Sequence, residues 1–157
     1  MRVKVATLAM AACTFPAVMA QTITVDHMTQ SQLIEKAQQL EAKAEGAEGA
    51  ASAKLDEYPN HYTMISIRHK DGGAEIHENF ADFFYVLQGK ATLLTGGTVV
   101  GGKTVSPGEI RGAAIENGIQ TAIGQGDVVH IPASLPHQLL VPKGGTLIYF
   151  VIKVKEK

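Results

Sequence analysis

Two short segments hold the side chains whose types and spacing can do chemistry. In Gly73-Ala74-Glu75-Ile76-His77-Glu78-Asn79-Phe80-Ala81-Asp82, a carboxylate, an imidazole and an amide stand at alternate positions. On an extended chain successive side chains point to opposite faces, so Glu75, His77 and Asn79 would share one. The second segment, Gly126-Asp127-Val128-Val129-His130-Ile131-Pro132-Ala133-Ser134-Leu135-Pro136-His137, brings two further imidazoles. His130 sits on the approach to Pro132, where it can serve as an acid or base near neutral pH. Thiol chemistry is excluded from this inventory. Cys13 is the only cysteine, and it lies in a segment expected to be removed.

The chain around these segments has room for one domain at 157 residues, with a composition ordinary for a globular protein. A short basic stretch, "MRVK", precedes the charge-free run "VATLAMAACTFPAVMA", which ends in Val18-Met19-Ala20. This is the pattern of a secretory signal peptide over residues 1–20, with cleavage before Gln21 and export to the periplasm or beyond. The run is short for a membrane span. Met10-Ala11-Ala12-Cys13 partly matches a lipobox, so a lipoprotein anchored at Cys13 is the alternative. Loss of Arg2 and Lys4 moves the formal charge from −1 to −3. Neither value suits a nucleic-acid surface, which needs a basic patch.

Residues 21–57 form the expected N-terminal helical segment. "TQSQLIEKAQQLEAKAE" spaces Leu33, Ala37, Leu40 and Ala44 on one helical stripe, with Thr29 and Gln32 as a capping box. From residue 58 to 157 the pattern changes to strands. "HYTMISIRH" alternates, and further runs are parted by Asp71-Gly72-Gly73, Gly89, Gly124 to Asp127, and Lys143-Gly144-Gly145. Many short strands between glycine turns predict an all-β barrel or sandwich. The Gly-rich stretch 95–118 reads as a long hairpin or loop at its edge, with Glu109 and Arg111 of "PGEIRG" as a loop charge pair that can reach over the mouth. Runs such as "DFFYVLQGKATLL" show little alternation, which implies burial on both faces and makes a homodimer an expectation.

The two histidine segments resemble the paired motifs of the cupin superfamily. The second motif, G-x5-P-x-G-x2-H-x3-N, is met by Gly126, Pro132 and His137, with Ser134 in place of its second glycine and Val141 in place of its asparagine. The first, G-x5-H-x-H-x(3,4)-E-x6-G, is met in its second half by Asp82 and Gly89, with Asp82 standing for the glutamate. Counting back from Asp82 makes His77 the second histidine and puts Glu75 where the first would be. A rival alignment pairs His77 with Asn79 but leaves too few residues before Asp82.

The resemblance implies a double-stranded β-helix, that is a cupin or jelly-roll barrel, over residues from about 62 to 154. It also implies that both motifs meet inside the barrel, bringing Glu75, His77, Asp82 and His137 together. Two imidazoles and two carboxylates form a fairly hard ligand set, which favours one divalent Mn, Fe or Zn, with Ni or Cu admitted by affinity alone. The function implied is a metal-dependent enzyme of isomerase, lyase or dioxygenase type acting on a small polar molecule. A non-catalytic cupin that binds a small molecule or a metal is the alternative.

Overall fold

The computed structural model describes residues 25–156. In chain order these form α1 (Gln30–Gln38), α2 (Glu41–Ala44), β1 (Ala50–Glu57), β2 (His61–Arg68), β3 (Ala74–His77), β4 (Phe80–Gln88), β5 (Lys90–Thr95), β6 (Thr98–Val100), β7 (Lys103–Ser106), β8 (Glu109–Gly112), β9 (Ala114–Glu116), β10 (Ile119–Gly124), β11 (Val128–Ile131), β12 (His137–Leu140) and β13 (Leu147–Lys155). The strands build a five-stranded sheet in the order β1-β2-β13-β4-β11 and a six-stranded sheet in the order β10-β5-β12-β3-β8-β7. A short β6-β9 pair completes the set. Every strand pairing is antiparallel. The expected all-β barrel with an N-terminal helix is observed.

The barrel interior is divided along its length. An apolar core of Val86, Ala91, Leu93, Ile123, Ile131, Leu139 and Leu147 fills one part. The remainder is more polar, because the inward residues of β2 include Tyr62, Ser66 and Arg68, which line a cavity inside the barrel. The alternation of "HYTMISIRH" therefore runs opposite to the usual sense. Its apolar side chains Ile65 and Ile67 point outward and are buried against Leu33, Ala37 and Ala44 of the helices. Thr29 caps α1 in a reciprocal box with Gln32, as expected, and fixes where that stripe begins. His69 Nε2 then lies 3.1 Å from the Glu41 carboxylate of α2.

One expectation changes. The helical segment does not extend over 21–57: Gly49 takes a positive φ and the chain continues as β1, paired with β2 from Ala50 to Glu57. A barrel begun at residue 58 would lack this strand. The stretch 95–118 takes the hairpin form of the two expected: β6 pairs with β9 and β7 with β8, β7 lies at the edge of the six-stranded sheet, and β8 pairs along the whole of β3. The non-alternating run in β4 has its cause inside the chain, since Leu87 and the neighbouring Ile148 lie under α1 while Val86 and Phe84 face the interior. The signal peptide assigned to residues 1–20, with Cys13, lies outside the described residues. Among those described, no helix is long and apolar enough to cross a membrane.

Candidate metal centre

Strand register explains which side chains meet. In the six-stranded sheet Glu75 stands opposite His137 on one side and opposite Arg111 on the other, and His77 stands opposite Glu109. In the five-stranded sheet Asp82 stands opposite Lys153, which in turn stands opposite Tyr62. Directly opposed side chains on one face are close enough to pair. These rows face one another across the barrel, and a cavity of about 220 Å³ lies among them.

Two imidazoles converge there. His77 and His137 are both buried, with ring centroids 5.1 Å apart. The Nδ1 of His77 donates to the Glu109 carboxylate, at 2.9 Å and 2.8 Å from its two oxygens. The Nδ1 of His137 donates to the Leu135 carbonyl at 3.0 Å. Each ring therefore turns its Nε2 toward the centre, and both Nε2 atoms are buried without a hydrogen-bond partner. Glu75 Oε2 lies 3.4 Å from one and 3.9 Å from the other. One ligand atom from each of Glu75, His77 and His137 falls within 4.8 Å of the others.

Asp82 joins from the facing sheet. Its Oδ2 is 3.5 Å from His77 Nε2 and 3.7 Å from His137 Nε2. Lys153 holds the same carboxylate, with Nζ 2.6 Å from Oδ1 and 2.7 Å from Oδ2. Both partners are buried. Arg111 plays the corresponding part on the other wall, with Nη1 2.6 Å from Glu75 and Nη2 3.1 Å from Glu109. The Nη1 contact is a close ionic approach off the N–H axis.

Protonation follows from this arrangement. Burial would raise the Glu75 carboxyl, but the His77 imidazole and the charge of Arg111 outweigh it and hold the group down at about 2. Burial lowers His137, against the pull of the Leu135 carbonyl, Asp82 and Glu75. Burial likewise lowers Lys153, with Asp82 opposing. An anionic carboxylate beside an imidazole biased toward neutrality is the protonation state that metal ligation needs.

The motif glycines are explained by close approach and by turn geometry. A Cβ on Gly89 would lie 1.9 Å from the Thr146 carbonyl oxygen, and Gly89 itself takes φ +85°. Ser134, where the motif has glycine, keeps the left-handed backbone at φ 67°. Its N–H donates to the His77 carbonyl at 2.8 Å, which ties the second motif to the first.

Two readings of the sequence are corrected here. Asn79 does not share the face of Glu75 and His77, because β3 ends at His77 and Asn79 lies in the following turn, beside Gly108. Glu75 is thus the residue the structure brings to the two imidazoles, not Asn79. His130, expected to move protons in the pocket, stands on the outer face of β11, exposed and stacked on Phe83 at 4.3 Å. The inward positions on that strand are Val129 and Ile131. Conversely, Lys153, Tyr62 and Arg68 line the cavity without being expected there, and Glu109 and Arg111, expected as a loop pair that can reach over the mouth, line it from β8. The signal for Glu109 and Arg111 was present as two charges at period two around Ile110. Lys153 is marked by being a lone charge inside the apolar run "TLIYFVI" that continues into it.

No protein-family model matches the sequence, and no curated protein matches it. Solved structures match by fold. One is a conserved protein with a double-stranded β-helix domain from Klebsiella pneumoniae subsp. pneumoniae, at 14% identity and TM-score 0.53, covering 74% of this chain and 86% of that one. A DMSP lyase, DddQ from Ruegeria pomeroyi, matches at 16% identity and TM-score 0.51, over 71% of this chain and 51% of the lyase. An oxalate oxidase in complex with glycolate matches at 15% identity and TM-score 0.52, over 73% of this chain and 55% of the oxidase. This chain thus spans about half the length of the lyase and of the oxidase. The barrel is a double-stranded β-helix of the cupin fold. Within it stands a Glu/His/His group that can hold a metal ion.

Proposed function

We propose that the protein is an exported, metal-dependent cupin enzyme in which Glu75, His77 and His137 hold one divalent metal and Asp82 is a fourth oxygen donor. The observation that carries this reading is the pair of buried Nε2 atoms, both without a hydrogen-bond partner and both aimed at the same carboxylate. Buried polar atoms are ordinarily satisfied, so two converging exceptions mark a place for a third species. A cation suits them, because each ring already spends its Nδ1 proton on another acceptor. Two histidines and one carboxylate with open positions favour Fe or Mn, and Zn accepts the same donors.

Bound there, the metal would supply Lewis acidity toward a carbonyl or hydroxyl oxygen. The chain's own residues do the rest. Glu109 fixes the tautomer of His77, and Arg111 orients Glu75. Lys153 and Tyr62 stand at the cavity wall as hydrogen-bond donors to a substrate oxygen. Burial raises the Tyr62 phenol, with Glu109 and Asp82 adding to the effect, so it remains a donor at neutral pH. The cavity is smaller than the roughly 300–1,000 Å³ of drug-sized sites, which limits the substrate to a small molecule. Isomerase, lyase and dioxygenase chemistry all use such a site. Export rests on the charge-free run behind "MRVK" and the Val18-Met19-Ala20 site.

A second reading has its own support. Arg111 already pairs with both Glu75 and Glu109, and Lys153 with Asp82, without a metal, as a non-catalytic cavity binding a small molecule would require. Metal titration of the purified protein separates the two. The parent and Asn79→Ala should bind Mn or Zn alike, Glu75→Gln should bind much more weakly, and His77→Ala and His137→Ala should not bind. Binding by all the variants, or none by the parent, would favour the metal-free cavity.

A further inference from the structure

Arg68 is the cation of the cavity that no carboxylate neutralises. Among the described residues, Glu75 and Glu109 share Arg111, and Asp82 holds Lys153. Arg68 makes no ion pair there, and its Nε is buried without a hydrogen-bond partner. The backbone leaves a place for its guanidinium, since a Cβ on Gly72 would come within 2.8 Å of Nη1. Arg68 lines the cavity of about 220 Å³ and also an adjoining recess of about 30 Å³, which Glu75, His137 and Tyr149 line as well. The fork of an arginine and the metal position thus share the walls of adjoining spaces.

Charge decides what that space will take. The cavity wall carries three carboxylates, Glu75, Asp82 and Glu109, and three cations, Arg68, Arg111 and Lys153. With neutral imidazoles the wall sums to zero, and a divalent ion makes it strongly positive. We propose that the cavity binds a small carboxylic acid, with its carboxylate on Arg68 and a second oxygen toward the Glu75/His77/His137 group. The assignment rests on the proposed metal site for that second oxygen, but not for the first. A planar carboxylate matches the guanidinium fork in two parallel hydrogen bonds.

Calorimetric titration of metal-free and Mn-loaded protein with lactate, lactamide and inorganic phosphate tests this. Lactate and lactamide match in size and differ in charge. Lactate should bind the metal-free protein about tenfold or more tightly than lactamide, the worth of a charge-assisted pair. Arg68→Met should erase that difference while Mn affinity does not fall. Mn loading should tighten lactate further in the parent. Should Arg68→Met not fold by circular dichroism, Gly72→Ala keeps the charge, displaces the guanidinium and should weaken lactate. Equal binding of lactate and lactamide, no binding of either, unchanged lactate binding in Arg68→Met (or in Gly72→Ala where that variant replaces it), or a preference for phosphate would each overturn the assignment. A parent that discriminates lactate but takes no Mn would sink the metal site and leave the Arg68 anchor standing.

Discussion

Lys153→Met puts the relation between Asp82 and the metal position to a direct test. Lys153 and Asp82 are opposed in register, both buried, with contacts of 2.6 Å and 2.7 Å. Removing one partner of a buried pair leaves the other charge without compensation, at a cost of about 3–5 kcal/mol. For a domain of this length that is a fall in Tm on the order of 10 °C in the metal-free protein. A divalent ion between His77 and His137 would restore a counter-charge to Asp82, whose Oδ2 is already 3.5 Å and 3.7 Å from their Nε2 atoms. By linkage, what the ion recovers in stability it gains in affinity. The ceiling is the whole cost, but a gain of about tenfold is expected, since Asp82 must still shift to reach the ion. Chelator competition with Mn and Zn reads the affinity, and calorimetric scans with and without metal read the stability. Adding Asp82→Asn to Lys153→Met should bring the affinity down to that of the parent or below it and recover much of the lost stability. If Lys153→Met binds metal no better than the parent, and metal does not repair its Tm, Asp82 is only a partner for lysine.

Two further outcomes follow from the same geometry. Glu109→Ala removes the acceptor that fixes the His77 tautomer, so metal affinity should fall about 10–100-fold, with Glu109→Gln in between, as read by the same chelator competition. Acid should destabilise the metal-free protein through Glu75: its folded carboxyl titrates at about 2 against an ordinary 4.5, so the unfolded chain binds more protons between those values. That contribution is complete above pH 4.5 and lost as pH falls toward 2. It amounts to less than about 3 kcal/mol, because solvent reaches this half-buried group, and Glu75→Gln should flatten the urea-denaturation profile across that window.

The fold and half of the site were legible because local pattern and local spacing decide them. Glycine turns between short runs predict strands, and the Gly126, Pro132 and His137 spacing marks the second motif. Helical spacing and a capping box likewise place the start of α1. Asn79 and His130 went astray for one shared reason. Period-two alternation assigns a face only while the strand lasts and only once the inside is known, and β3 stops at His77 while β11 turns His130 outward.

The same ambiguity hid the polar wall. A strand such as β2 is normally read with its apolar side inward, which would set Ile65 and Ile67 in the core and Ser66 and Arg68 in solvent. Here α1 and α2 cover the outer face, so burying Ile65 and Ile67 outward costs nothing in exposed apolar area. The interior face is then released from the duty of forming a dry core, and polar residues can occupy it. Lys153 on β13 follows the same rule, with Tyr149 and Val151 on its inward row and Ile148 and Phe150 beneath the helix. The period-two charges of Glu109 and Arg111 mark one strand face, but only the long-range pairing of β8 with β3 sets that face beside His77 and Glu75. A helix that carries no chemistry itself is therefore what allows this barrel to hold a charged cavity.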